Sequence, residues 1–268
     1  MSQLHPFFGG LRPTLHIAHR GGAQLAPENT VVAFSQAVDR YRTQIIETDV
    51  QLTRDGVIVI AHDDTVDRCT DGSGDIHDLT LAELQRLDAG FRFTPDGGRT
   101  FPFRGTGVRI PTLREVLARF PDMRFNIEVK RALPGIELAF AEEIERAHAA
   151  RRVCVGASED ALGARLYDAL PGACHFHPRE ALTAFVLSVH SGQEPPEDPR
   201  FCVLDMPLWY DGHRLVTPAL IDAARRRGKW INVWTIDDPA EMRRLVGEGV
   251  GGIMTDRPDL LRQVLDAR

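Results

Sequence analysis

The chain has 268 residues, 43% of them hydrophobic and 26% charged, with a formal net charge of −6 at pH 7. That length can bury a sizeable core in one domain, and the balance is that of a globular protein rather than a disordered or fibrous one. The acidic charge argues against a nucleic-acid partner or a polybasic membrane patch, and no uninterrupted apolar run is long enough to span a bilayer.

The first fifteen residues, MSQLHPFFGGLRPTL, lack the basic-then-apolar order of a secretory leader. LHIAHRGG, Leu15 to Gly22, reads as a short strand ending in His19-Arg20 and two glycines that allow a tight turn. Asn29 or Thr30 then caps the helical stripe of VVAFSQAVDR. IIETDVQLTRDGVIVIAHDD, Ile45 to Asp64, reads as a strand, an Asp55-Gly56 turn and a second strand. A long Asp-, Gly- and Arg-rich excursion follows to about Ile110, with one short helix behind a Thr80/Glu83 capping box. A second capping box, Thr112 and Glu115, opens the next helix, TLREVLARF.

From there strands and helices alternate. Arg124 to Lys130, Val153 to Ser158, Ala173 to His177, FCVLDM, KWINVWTI and GGIMTD are strand-like, and each precedes a helical pattern. Alternation of this kind implies a parallel sheet, and eight β-then-α units suggest a closed (β/α)8 TIM barrel. An open doubly wound sheet is the alternative. No G-x-G-x-x-G follows the first strand, which weakens a dinucleotide-binding version of it. Four cysteines, Cys69, Cys154, Cys174 and Cys202, form no C-x-x-C pair, and free thiols in a reducing cytoplasm are expected.

In a barrel of this kind the chemistry collects at the C-terminal ends of the strands. Glu47 and Asp49 are two residues apart, so both carboxylates share one face of their strand while Ile46, Thr48 and Val50 take the other. Two buried carboxylates on one face need a counter-charge. Asn126, Glu128 and Lys130 alternate inward on the next barrel strand, and Asn232 and Trp234 do so near the end of the chain. A Glu128–Lys130 pair could be purely structural. Taken together, however, three carboxylates, His19, His62, Arg20 and Lys130 meet on one rim. Oxygen ligation by Glu47, Asp49 and Glu128 suits Mg²⁺ or Ca²⁺ better than zinc. Arg20 and Lys130 suit a phosphate-like group, the histidines suit proton transfer near neutral pH, and Trp234 offers a flat apolar wall.

HRGGAQLAPENTVVAF, IIETDVQLTRDGVIVIAHDDTVDRCTDGSG, DLTLAELQRLDAG, IPTLREVL, NIEVK and GIMTDRPDLL together resemble the glycerophosphodiester phosphodiesterase family. The likeness runs in order from about Ile17 to Leu261. It implies a TIM barrel with an insertion of about residues 65–110 between the second strand and second helix. It also implies hydrolysis of glycerophosphodiesters to glycerol 3-phosphate and an alcohol. On the matching positions, His19 and His62 are the catalytic pair and Glu47, Asp49 and Glu128 the metal carboxylates. Arg20 and Lys130 contact phosphate, and Trp234 forms the substrate wall. Two departures, Gly251 in GVGGIMTD and the GAS ending of the fourth strand, fall on none of these residues.

Two other motifs point elsewhere. His175 and His177 form an H-x-H, but a histidine-rich metallohydrolase would also want one at the first strand. The run DDTVDRCTDGSGD lacks the twelfth-position Glu of an EF-hand loop. The rival functional readings are the same fold acting on lysophospholipids and a non-catalytic binding protein. The latter is disfavoured because none of the histidines or carboxylates is missing.

Overall fold

The structure, a computed structural model, describes residues 5–267. Eight parallel strands run β1 (Leu15–Ala18), β2 (Ile45–Leu52), β4 (Arg124–Val129), β5 (Val153–Gly156), β6 (Cys174–His175), β7 (Val203–Pro207), β10 (Trp230–Trp234) and β11 (Gly252–Thr255). Their spatial order is β6-β5-β4-β2-β1-β11-β10-β7, and β3 (Ile58–Ile60) lies antiparallel on β2 outside that path. A parallel bridge between Phe176 and Val203, with the Cys202 amide donating to the His175 carbonyl at 2.7 Å, joins the two ends of the sheet. The barrel is thereby nearly closed, as eight β-then-α units require.

Around the strands stand α1 (Val31–Asp39), α3 (Leu113–Arg119), α4 (Ile136–Arg146), α5 (Asp160–Ala169), α6 (Arg179–His190), α7 (Pro218–Arg226), α8 (Pro239–Glu248) and α9 (Pro258–Asp266). The short α2 (Leu81–Leu84) lies in the long segment between β3 and α3. Starts are set by side-chain caps: Thr30 on α1, Thr217 on α7, and complete Thr/Glu capping boxes at Thr80 and Thr112. Each such cap satisfies amide donors that would otherwise go unpaired, an effect of about 1 kcal/mol. None of the helices among the described residues is long and apolar enough to cross a membrane.

Every residue of β2 is buried, because both of its faces are used. Ile46, Val50 and Leu52 pack outward with Phe34, Phe125, Ile127 and Val129 against the helices. Ile45 points inward to the barrel floor, where it meets Leu15, Ile17, Cys154, Cys174, Val203 and Met254. Phe7 and Phe8 plug that end, Phe8 stacking on Trp230 at 4.4 Å between ring centres. The Arg124 guanidinium holds the plug by donating to the carbonyls of Phe7 and Gly9. An apolar, closed floor leaves the opposite end, where the strands' C-termini lie, as the end that can receive a polar ligand.

Gly251 lies just before β11 at the closed end, and a Cβ there would come within 2.7 Å of the Ile231 carbonyl oxygen. That departure from the family pattern is therefore a matter of packing, remote from the rim. The cysteines are free, with Cys154 and Cys174 buried in the floor. The H-x-H motif is also structural. His175 meets the Leu170 carbonyl at 2.9 Å and His177 the Val203 carbonyl at 2.7 Å, and burial pushes the His177 imidazole down to about 4.

Candidate active site

The alternation that places Leu15 and Ile17 inside the barrel carries on to His19, just past the end of β1. A tight turn follows, with Arg20 at φ 50°, Gly21 at φ 83° and Gly22 at φ 98°. A side chain at Gly21 would collide with the Phe34 ring at 2.7 Å, so only glycine lets the chain turn this close to α1. The turn aims the Arg20 amide at Glu47 Oε2, 2.9 Å away. Parallel register sets Glu47 beside Asn126 and Asp49 beside Glu128, so the inner faces of β2 and β4 present their carboxylates at matching heights.

Cations are threaded among these acids. Lys130 Nζ lies 2.9 Å from Glu128 Oε2 and 3.5 Å from Asp49 Oδ1, and Arg20 Nε is 3.5 Å from Asp49 Oδ2. Asn29 donates to Asp49 Oδ2 at 3.0 Å and accepts from the Thr48 hydroxyl at 2.7 Å. Burial works against charge on both Lys130 and Arg20, but the surrounding carboxylates outweigh it and raise both above their ordinary values. Glu47 goes the other way. Burial first, and Asp49 second, push its carboxyl up to about 8 in spite of His19 and Arg20. A buried carboxyl beside a second one thus favours its neutral form.

Both histidines carry a carboxylate partner. His19 Nδ1 is 2.7 Å from Asp256 Oδ1, and His62 Nδ1 is 2.6 Å from Asp63 Oδ1. An ionised carboxylate only accepts, so each Nδ1 bears the proton and each Nε2 is left for other work. Burial opposes protonation of His19, yet Glu47 and Asp256 prevail and its pKa is raised. His62 stands beyond β3 and is tied to the rest through Asp63, Arg68 and Glu28, the last of which also accepts from Arg20 Nη1 at 3.0 Å. Trp234 ends β10 at the same rim, 41% exposed.

Several participants were not singled out from the sequence. Asp256 and Asp63 orient the histidines, and Glu28 and Arg68 link them. Asp205, one layer below, accepts from Asn126 at 2.7 Å and from Asn232 at 2.8 Å. Ser158, in the GAS departure, donates to Glu128 Oε1 at 2.7 Å, so that departure does touch a site carboxylate. Glu28, Asp63, Arg68 and Asp256 all lie inside the quoted family-like motifs, which was the available signal. Among the described residues, no three His, Cys, Asp or Glu side chains already stand as a metal-holding group.

The family model for glycerophosphoryl diester phosphodiesterases matches residues 19–260. The chain belongs to the glycerophosphoryl diester phosphodiesterase family. It is thus a phosphodiesterase by descent. It is 35% identical over 259 residues to a glycerophosphodiester phosphodiesterase of Caldanaerobacter subterraneus subsp. tengcongensis, covering 92% of this chain and 96% of that one. Among solved structures it resembles a glycerophosphoryl diester phosphodiesterase domain from Mycobacterium tuberculosis. That pair has a TM-score of 0.84 at 23% identity, over 95% and 99% of the two chains. An Oleispira antarctica phosphodiesterase, crystallised with the product sn-glycerol-3-phosphate, superposes with a TM-score of 0.72 at 22% identity, over 96% and 98%.

Proposed function

We propose that this enzyme hydrolyses glycerophosphodiesters to glycerol 3-phosphate and an alcohol, with a divalent cation and a histidine pair. The observation that carries this reading is the meeting, on one rim, of two carboxylate-backed imidazoles with Arg20 and Lys130 set among Glu47, Asp49 and Glu128. The product named for the Oleispira phosphodiesterase agrees with it.

The donor chemistry fits Mg²⁺ or Ca²⁺. All three carboxylates are hard oxygen donors, and burial first, with Asp49 second, holds Glu47 protonated near neutral pH. Glu47, Asp49 and Glu128 would hold the ion, which supplies Lewis-acid polarisation of the phosphate and neutralises its charge. Lys130 and Arg20, whose charge the carboxylates now absorb, become available to the phosphate oxygens when another cation takes over that task. His62 takes a proton from the nucleophile, either water or a hydroxyl of the substrate itself. His19, whose raised pKa favours the imidazolium, protonates the leaving alkoxide. The closed floor keeps bulk water to the rim side.

The test is glycerol 3-phosphate release from glycerophosphocholine with EDTA, Mg²⁺ or Ca²⁺. Turnover is expected to stop in chelator and return with either ion, and full activity in chelator would remove the metal from the scheme. Metal affinity should rise toward pH 8, because ligation expels the proton that Glu47 holds below that value. Glu47→Gln should weaken metal affinity, with part of the activity recovered in excess metal.

A second reading, lysophospholipids as substrate, is favoured by one observation. A hairpin, β8 (Trp209–Tyr210) with β9 (His213–Arg214), directly follows β7 and bares Trp209 (54% exposed) and Tyr210 (70%) at the rim that also exposes Trp234. Exposed aromatics beside a site suit an acyl chain better than a small polar alcohol.

A further inference from the structure

The two histidines are supported in different ways. The carboxylate behind His19 belongs to the barrel, since the Asp256 amide is anchored on Asp237 Oδ1 at 2.9 Å, just past the end of β11. The carboxylate behind His62 lies on the long segment after β3, where Gln51 of β2 reaches the residues on either side of it, the His62 carbonyl at 3.3 Å and Asp64 Oδ1 at 3.1 Å, but not Asp63 itself. Among the described residues the Asp63 carboxylate is held, apart from His62, by Arg68, whose Nε reaches Asp63 Oδ2 at 2.6 Å and whose Nη2 reaches Oδ1 at 3.1 Å. The far edge of the same guanidinium grips Glu28, at 2.6 Å from Nη1 to Oε2 and 2.8 Å from Nη2 to Oε1. Glu28 comes from the loop before α1 and is itself fixed by Arg20.

We infer that Arg68 is a positioning residue for the hydrolysis. It clamps Asp63 to Glu28, so that Asp63 holds the His62 ring with Nδ1 protonated and Nε2 turned to the substrate. This rests on the reading of His62 as a catalytic residue. A guanidinium spans two carboxylates in one plane, which a flexible ammonium cannot do. The clamp is needed because Arg68 is itself 48% exposed, so its rotamer is set by the carboxylates at both edges rather than by packing. Glu28, His62, Asp63 and Cys69 also help to line a cavity of about 30 Å³. The Asp63 carboxyl, pulled down to about 2 chiefly by Arg68 against the effect of burial, stays an acceptor throughout the working pH range.

The experiment is steady-state kinetics on glycerophosphocholine with Arg68→Met, Arg68→Lys, Asp63→Asn and His62→Ala, singly and combined, with thermal melts to confirm folding. Arg68→Met is expected to lower kcat about 10–100-fold, the range typical of losing a group that orients a functional histidine. KM should stay within about threefold, since a group acting only on the chemical step leaves ground-state binding alone. Arg68→Lys keeps the charge without the fork, so it should recover only a minor part. Added to His62→Ala or Asp63→Asn, Arg68→Met should cost no more than about twofold further, because its effect passes through those residues. Imidazole ¹⁵N spectra should show His62 as one tautomer in the wild type and as a mixture in Arg68→Met.

A folded Arg68→Met with near wild-type kcat and a single His62 tautomer would overturn the inference, as would an undiminished loss in the His62→Ala background. Should Arg68→Met not fold, Arg68→Lys in the same two backgrounds carries the test. His62→Ala with normal turnover would instead bring down the functional reading itself. An inactive His62→Ala beside an unaffected Arg68→Met would bring down only the role of Arg68.

Discussion

Asp205 is the acid whose environment makes the sharpest demand. It is buried inside the barrel with two amide donors, Asn126 and Asn232, and burial pushes its carboxyl from 3.8 up to about 7 despite both. A folded-state pKa above the unfolded value means that the folded chain binds the extra proton between about pH 4 and pH 7. The stability this contributes is complete below pH 4 and is lost as pH rises through 7. A displacement of this size amounts to about 4 kcal/mol by pH 8. Asp205→Asn removes the titration while keeping the shape. Asn232 Oδ1 is buried without a hydrogen-bond partner among the described residues, so a flipped Asn232 amide can accept from the new Nδ2. The variant should therefore gain about 2–3 kcal/mol on the wild type between pH 5 and pH 8. Urea denaturation of both proteins at the two pH values measures this, and groups that do not interact with Asp205 cancel in the difference. A stability difference independent of pH, or one favouring the wild type increasingly toward pH 8, would refute the reasoning.

The histidine assignments give a further set of outcomes. His19→Ala and His62→Ala should each lower turnover by about 10²–10⁴. A nitrophenyl ester, whose leaving group needs no proton, should rescue the first and not the second; the reverse pattern would exchange the roles. Asp256→Asn removes part of what raises His19, so the alkaline limb of the rate profile should move to lower pH, because the acid loses its proton sooner. An unmoved limb would exclude His19 as the acid. Trp209→Ala and Tyr210→Ala should raise KM for a lysophospholipid while leaving glycerophosphocholine nearly unchanged; equal effects on both substrates would dismiss the acyl-contact role.

The strand and helix order was legible in the sequence because it rests on local regularities. Ile46, Val50 and Leu52 alternate with Glu47, Asp49 and Gln51, and a pleated strand must send those two sets to opposite faces. Thr80 with Glu83 and Thr112 with Glu115 satisfy helix-end amides within four residues of chain, so their spacing already specifies the bond. The same short-range logic placed Glu128 and Lys130 on one face, and the motif around His19 and Arg20 announced a tight glycine turn. What lay beyond reach was every partner chosen by closure of the barrel. Asp256 reaches His19 across 237 positions and Asp205 meets Asn126 across 79, and neither spacing carries a local pattern. Lys130 reads equally well as a phosphate ligand or as the partner of Glu128, and only the register of β2 on β4 brings Asp49 to it as well. Gly251 and Ser158 looked alike as departures from a family pattern. One lies at the plugged end and the other donates to Glu128, because position along a strand becomes distance from the rim only once the strands are aligned in a barrel.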